Sequence, residues 1–243
     1  MKRTAAGSGA AIAIVAVAIG LAGCGSSPSN NNAAGKSSTA ATSTTAATSA
    51  TSATPPKPQS KVAPRVTAQG PNPTIASYFQ QNNITATPVH RGDPGAPTVN
   101  FPIPDGWADA GPDTPATAYW AIVDNGPEAA KYTPSIVATL SKLDGDVDPQ
   151  KLIELAGGAT KNLPGFKPMG DGTEDNMAGF PAFQLGGTWT QDGQTKAVAD
   201  KVVVINGNDN IYLLEFNADC LEDQVQKALP ATITIDEKTT INV

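Results

Sequence analysis

Every aromatic side chain of this 243-residue sequence lies after residue 72. The stretch before it consists of long runs of Ala, Ser, Thr, Gly and Pro, so it has too little apolar surface to offset the entropy of ordering. The charges divide at the same place, because the first seventy residues hold six basic side chains and no acidic one. We therefore expect one globular domain of about 170 residues, an ordinary size for a single core, behind a non-globular leader.

The globular part is strongly acidic. It carries 10 basic and 22 acidic side chains, a net charge of −12. Nucleic-acid binding depends on clustered Lys and Arg that displace counterions, and docking on anionic lipid head groups depends on the same residues. The composition thus predicts no nucleic-acid partner and no electrostatic attachment to a membrane.

The leader has the parts of a bacterial lipoprotein export signal. Lys2 and Arg3 precede an apolar run over residues 10–19, which is too short to cross a hydrocarbon core of about 30 Å. The run ends in Leu21-Ala22-Gly23-Cys24, which is similar to a lipobox. Residues 1–23 are therefore predicted to be a cleaved signal peptide. We expect Cys24 to carry diacylglyceryl and N-acyl groups that anchor the chain in a membrane.

A tether is predicted between the anchor and the domain. Residues 24–71 contain a Ser/Thr/Ala stretch followed by Thr54-Pro55-Pro56, so we expect a disordered stalk that is open to O-glycosylation. A flexible coil over the 46 residues 25–70 reaches roughly 40 Å. Acylation of Cys24 would leave Cys220 without a disulfide partner, so the domain, predicted over residues 72–243, must rely on its own core.

Short apolar segments and turn signals alternate along the domain. Thr74 is the predicted N-cap of a first helix, and Asp148-Pro149 starts a second one that ends near residue 157. Strands are predicted over residues 84–90, 99–104, 117–123 and 135–143, with two prolines confining the second of these to a sheet edge.

Two hairpins and a helix are predicted near the C-terminus. Asp192-Gly193 lies between apolar runs at 180–190 and 195–205, the strongest hairpin signal in the sequence. A turn at 206–209 leads into a strand at 211–216. Residues 219–222 resemble a capping box that opens a closing helix to about Leu229. This order predicts an α+β fold with a mostly antiparallel sheet covered by helices on one or both sides.

The sequence resembles the mycobacterial LpqN/LpqT lipoproteins across most of residues 72–243. The resemblance rests on residues 74–78 (TIASY), 87–97 (TPVHRGDPGAP), 104–107 (PDGW), 141–149 (SKLDGDVDP), 161–166 (KNLPGF) and 184–187 (QLGG), together with the lipobox and stalk. It implies a PsbP/Mog1-like fold, an antiparallel sheet sandwiched by helices. It also implies residence in the cell envelope and a non-catalytic accessory role in the export of trehalose-linked mycolic lipids. No catalytic residue, cofactor or metal site is implied.

Several local patterns were weighed against plainer interpretations. Asp144, Asp146 and Asp148 alternate like a calcium loop, but Pro149 and Leu155 stand where an EF-hand needs Gly and Glu, so a polar turn before a helix is the preferred interpretation. Residues 91–93 spell Arg-Gly-Asp, which fits a tight turn better than adhesion. Residues 170–175 carry three acids and are predicted to be a hairpin turn rather than a phosphate loop.

The aromatic residues supply the candidate ligand site. Most of them are expected in the core, but some could line a groove between sheet and helix that is open to an acyl chain or a sugar face. The candidates are Trp107, Tyr119, Trp120, Phe166, Phe183 and Trp189.

Three functions remain open at this stage. The first is a lipid-anchored binding protein at the outer face of the plasma membrane or in the periplasm, with a glycolipid ligand or an exporter's periplasmic domain as partner. The second is an envelope lipid hydrolase or transferase that uses His90, the only histidine. The third is a host-facing surface protein with purely protein–protein contacts.

Overall fold

The computed structural model describes residues 60–207 and 209–243. The predicted signal peptide, its Leu21-Ala22-Gly23-Cys24 motif and the tether up to residue 59 lie outside the described residues. The described chain forms helices α1 (Ile75–Asn82), α2 (Pro149–Leu155), α3 (Gly158–Lys161) and α4 (Val225–Lys238). Its strands are β1 (Thr85–Val89), β2 (Thr98–Asn100), β3 (Trp107–Asp109), β4 (Trp120–Asp124), β5 (Ser135–Asp144), β6 (Lys167–Pro168), β7 (Thr173–Met177), β8 (Phe180–Gln191), β9 (Gln194–Gly207), β10 (Asn210–Leu221) and β11 (Thr240–Asn242).

The main sheet is antiparallel and has nine strands. Its central order is β3-β4-β5-β10-β9-β8-β6, with β1 paired to one end of β5 and β7 paired to one end of β8. The two remaining strands, β2 and β11, form a small separate sheet. The predicted edge strand at 99–104 is therefore only three residues long and lies outside the main sheet, because the prolines that follow it cannot donate to a ladder.

Local signals determine several element boundaries. Thr74 caps α1 in a reciprocal capping box with Ser77. The Asp148 side chain accepts hydrogen bonds from the backbone N–H groups of Gln150 and Lys151 at the start of α2. Asp192 and Gly193 have positive φ angles of 50° and 76°, which is the two-residue turn that suits the twist of a hairpin. These predictions are confirmed.

The sheet has apolar cores on both faces. On the first face, alternate residues of β4, β5, β9 and β10 pack against Ala228, Ala231 and Ile235 of α4. On the second face, α1 and α2 cover one half of the sheet through Ile75, Leu152 and their neighbours. The α+β class with an antiparallel sheet sandwiched by helices is thus confirmed.

The C-terminal region differs from the prediction. Asp219 and Cys220 continue β10 rather than capping a helix, and α4 starts at Val225 and runs to Lys238 through Pro230. The predicted end at Leu229 lies just before this proline, which lacks a backbone N–H. The helix continues because Ala231 and Ile235 are buried against the sheet, at 2% and 4% exposure.

The folded part begins earlier than residue 72. Val62 is 4% exposed and packs with Ala110, Ala121 and Val123 of the β4 region. Residues 60–69, here called the strap, lie across the half of the second sheet face that α1 and α2 leave uncovered. The last part of the predicted tether is therefore part of the folded unit, since apolar and ionic side-chain contacts hold it there.

Candidate functional site

The structure separates the six candidate aromatic residues. Trp107, Tyr119 and Trp120 are 6–7% exposed in the core on the α4 side of the sheet. Trp120 stacks on Phe101, with 4.7 Å between ring centroids. These three residues are core residues and line no groove.

The other three candidates lie on the opposite face and in different surroundings. Phe183 packs with the α1 and α2 residues. Phe166 covers Gly187, where a Cβ atom would come within 2.5 Å of the phenyl ring. Trp189 is 4% exposed and lines a cavity beneath the strap. The six residues therefore do not form one groove, and Trp189 alone among them lines this cavity.

The cavity lies between the strap, the α3 region and the polar end of the sheet. Its volume is about 30 Å³, which is room for water but not for a sugar ring. The lining residues are Ala63, Pro64, Arg65 and Val66 of the strap, Ala159, Thr160 and Leu163 in and after α3, and Trp189, Val198, Asp200, Asn217 and Asp219 of the sheet.

Asp200 is the central polar residue of this cavity. It is 8% exposed, and it accepts hydrogen bonds from Thr160 Oγ1 and from Asn217 Nδ2, the latter at 2.8 Å. A guanidinium nitrogen of Arg65 lies 3.6 Å from its Oδ1. The strap thus supplies a cation to a buried carboxylate, and such a group is costly to leave unpaired.

Glu215 lies on the same face and also interacts with Arg65. Burial raises the pKa of its carboxyl group, and the nearby Asp200 raises it further, whereas Arg65 acts in the opposite direction. On the face under the strap, the carboxyl groups of Asp200 and Glu215 therefore both interact with the guanidinium group of Arg65.

A second buried ionic group adjoins the cavity. Lys196 Nζ lies 2.8 Å from Asp219 Oδ1, and the Tyr132 hydroxyl donates to the same carboxylate. Burial raises the pKa of Asp219, although Lys196 and Tyr132 both favour its charged form. The Lys196 ammonium also lies 5.0 Å from the centroid of the Trp189 ring.

The indole Nε1–H of Trp189 is buried, and among residues 60–207 and 209–243 it finds no hydrogen-bond acceptor. A buried N–H without an acceptor costs free energy, so such groups are rare in native proteins. A ligand oxygen or a water in the adjacent cavity would satisfy it. The site therefore offers one unfilled donor beside several acceptor groups.

His90 and Cys220 show no catalytic arrangement among the described residues. The His90 side chain is 56% exposed, with Nε2 3.2 Å from the Ala116 carbonyl oxygen and Nδ1 3.9 Å from Asp93. Cys220 is 3% exposed, and burial raises the pKa of its thiol to about 12. The thiol therefore stays protonated at neutral pH.

The remaining sequence patterns lie in turns or strands. Asp93 closes the Arg-Gly-Asp turn by accepting from the His90 backbone N–H at 2.7 Å. Asp144 pairs with Lys142 at 3.1 Å, while Asp148 caps α2. Residues 173–175 belong to β7, so that hairpin turns at 178–179 rather than at 170–175. Within residues 60–207 and 209–243, no three His, Cys, Asp or Glu side chains come together as a metal-binding group.

Comparison with known proteins identifies the family. The sequence model described as "Probable lipoprotein LpqN" matches residues 71–242. The chain belongs to this family. Lipoprotein LpqN of Mycobacterium tuberculosis is 46% identical over 174 residues, which cover 72% of this chain and 76% of the relative.

Two solved structures are also similar to this LpqN-type lipoprotein. The crystal structure of LpqN involved in cell envelope biogenesis of Mycobacterium tuberculosis matches with a TM-score of 0.67 and 45% identity, covering 72% of this chain and all of that one. The Ran-binding protein Mog1p of Saccharomyces cerevisiae matches with a TM-score of 0.40 and 13% identity, over 64% of this chain and 95% of that one. The fold is therefore that of the LpqN structure.

The sequence of this LpqN-type chain did not lead us to predict the cluster of charged residues on β9 and β10. Lys196 and Asp200 stand an even number of residues apart on β9, and Glu215 and Asp219 do so on β10. Alternate residues of a strand share a face, so the spacing groups Lys196 with Asp200 and Glu215 with Asp219, and the β9–β10 register places both pairs on one side of the sheet. The strands at 195–205 and 211–216 were predicted from their apolar residues, and the face on which their charged residues lie was not considered.

Proposed function

We propose that this LpqN-type lipoprotein is a lipid-anchored, non-catalytic protein of the cell envelope that binds the head group of a trehalose-type glycolipid and assists its export. Family membership and the envelope-biogenesis role of the 45% identical LpqN structure support this role. An exporter's periplasmic domain is the proposed protein partner, and no nucleic acid takes part.

The observation that carries the binding role is the buried indole N–H of Trp189, which has no acceptor among the described residues and belongs to a side chain that lines a cavity with carboxyl, amide and hydroxyl groups. A polyhydroxylated head group presents both donors and acceptors on every hydroxyl. Its oxygens can accept from Trp189 while its O–H groups donate to Asp200 and Asn217. A cationic ligand would satisfy the carboxyl groups but not the indole N–H.

The surroundings of Cys220 and His90 support binding without catalysis. Nucleophilic catalysis requires a thiolate or an activated hydroxyl beside a base. The Cys220 thiol is buried with its pKa raised to about 12, and His90 contacts a backbone carbonyl and a turn carboxylate.

The proposed location is the outer face of the plasma membrane, with the chain anchored through acylated Cys24. The residues Leu21-Ala22-Gly23-Cys24 and the lipoprotein family support this anchor. No helix in the part of the chain that the structure describes is long and apolar enough to span a bilayer.

Native mass spectrometry with a matched lipid pair tests the proposal. We expect the protein to retain trehalose monolaurate and to ignore monolaurin, which has the same acyl chain without the disaccharide. Trp189→Phe keeps most of the packing but removes the N–H, so it should weaken retention of the sugar lipid several-fold with little change in thermal stability.

Equal retention of both lipids, or none of either, would argue against a head-group site. Release of free laurate would instead favour the hydrolase alternative.

A further inference from the structure

The cavity beneath the strap is too small for the head group proposed above. At about 30 Å³ it holds water, whereas pockets for organic ligands measure about 300–1,000 Å³. Four of its lining residues, Ala63 to Val66, belong to the strap. The part of the wall most easily moved is therefore the strap itself, because the other walls are sheet and helix.

Side chains hold the strap in place. Val62 is buried in a small apolar cluster, and Arg65 pairs with Asp200 at 3.6 Å. Within the described residues, no backbone hydrogen bond joins residues 60–69 to the sheet or the helices. A segment without backbone hydrogen bonds to the sheet opens more easily than a paired strand, and its main cost is the loss of the Arg65 cation beside the buried Asp200.

The strap is fixed at its C-terminal end. Asn72 and Asn162 exchange hydrogen bonds, with the Asn72 backbone N–H donating at 3.1 Å and the Asn162 side chain donating to the Asn72 carbonyl oxygen at 2.9 Å. Opening would therefore swing residues 60–69 about this point and leave the domain intact. On its N-terminal side the strap continues directly into the predicted tether.

Arg65 occupies the place where a ligand would donate hydrogen bonds. Its guanidinium group is the ion-pair partner of Asp200 and interacts with Glu215. When Arg65 leaves, Asp200 and Glu215 both lose the cation beside them, although Asp200 keeps the hydrogen bonds from Thr160 and Asn217, and the Trp189 N–H still has no acceptor among the described residues. Hydroxyl groups of a sugar meet all three requirements.

We infer that the strap is a displaceable cover that competes with the glycolipid head group for the groove lined by Trp189, Asp200 and Asn217. This inference rests on the proposed binding function and adds its regulation: the groove is closed by the chain's own segment between tether and domain, with Arg65 as the competing ligand. Anything that lifts residues 60–69 admits the head group.

Two variants release the strap at different points. Arg65→Ala removes the ion pair, and Val62→Asp removes the apolar contact while leaving Arg65 in place. Lys61→Ala is the matched control, because Lys61 is exposed and lies next to Val62 in the strap. The full mature chain in lipid nanodiscs is titrated with trehalose monolaurate, with monolaurin as the lipid control. If the strap covers the groove about nine-tenths of the time, both release variants bind the sugar lipid about tenfold more tightly than the wild type and the Lys61 control.

Trypsin cleavage after Lys61 reports the position of the strap directly. We expect the cleavage rate of the wild type to rise when trehalose monolaurate is added and to stay constant with monolaurin. Equal affinity in the wild type and both release variants, with unchanged cleavage, would overturn the strap inference and leave the binding function standing. Weaker binding in both variants would also overturn it, because the strap would then be part of the site. If no variant binds the sugar lipid, both the inference and the proposed function are wrong.

Discussion

At the scale of single residues, charged side chains buried in the sheet each depend on a partner from another part of the chain. Lys196 pairs with Asp219 of the neighbouring strand, and Asp200 pairs with Arg65, which lies 135 positions earlier. Such pairs contribute little net stability against an apolar alternative, but removing one partner leaves a costly unpaired charge. The presence of these buried charged residues in the sheet is therefore better explained by a role in binding than by a contribution to folding stability.

The pH dependence of stability reports on Glu215. Burial raises the pKa of this carboxyl group above 4.5, its ordinary value, so the native state keeps the proton at pH values where the unfolded chain has released it. Its contribution to stability is therefore lost as the pH rises from about 4.5 through the raised pKa. Glu215→Gln should increase the free energy of unfolding at pH 7 but change it little at pH 4.

Urea denaturation between pH 4 and pH 8 measures this effect. Glu222→Gln is the matched control, because Glu222 is exposed just after the same strand. Curves for Glu215→Gln and wild type that run parallel over the whole range would contradict the assignment.

At the scale of elements, close packing of β6 and Phe166 against β8 requires a glycine. A Cβ at Gly187 would lie 2.5 Å from the Lys167 carbonyl oxygen and 2.5 Å from the Phe166 ring. Gly187→Ala should therefore cost about 1–3 kcal/mol, the usual penalty of overpacking. At the neighbouring Gly186 the nearest atom would be 3.5 Å away, so Gly186→Ala should be close to neutral. Equal denaturation midpoints for the two variants would refute this packing.

Helix α4 contains a proline that its tertiary contacts tolerate. Pro230 is exposed, and proline in a helix interior costs about 3 kcal/mol. Pro230→Ala should stabilise the protein by about 2 kcal/mol, since part of the gain is offset by greater freedom of the unfolded chain. Gln226→Ala, also exposed on α4, should change stability by less than about 0.5 kcal/mol. Thermal or urea denaturation of both variants provides the comparison, and a loss of stability in Pro230→Ala would be inconsistent with this account.

At the scale of the whole molecule, the two cysteines have separate roles. Cys24→Ala should abolish labelling by palmitate and move the protein out of the detergent-rich phase in Triton X-114 partitioning, because the acyl chains supply the membrane affinity. Cys220→Ala should keep both properties and lose only modest stability, since this thiol is buried and free in the described part of the chain. Labelled Cys24→Ala protein would contradict the lipobox assignment.

Short-range signals in the sequence determined much of the fold. The Thr74 and Asp148 caps and the Asp192-Gly193 turn depend on atoms within a few residues, so their chemistry can be read locally. The resulting order of helices and strands was sufficient for the α+β class and the antiparallel sheet. The family was recognised from local sequence motifs such as residues 87–97 and 141–149.

Only the tertiary structure decided the rest, because the deciding contacts join distant parts of the chain. Helix α4 continues past Pro230 because the sheet buries its far end, and Trp189 differs from Trp107 because the strap leaves a polar cavity beside it. The strap itself has the composition of a tether. Its place in the fold depends on two contacts, that of Val62 with Ala110, 48 positions further along, and that of Arg65 with Asp200, 135 positions further along. Local composition does not encode contacts at this range.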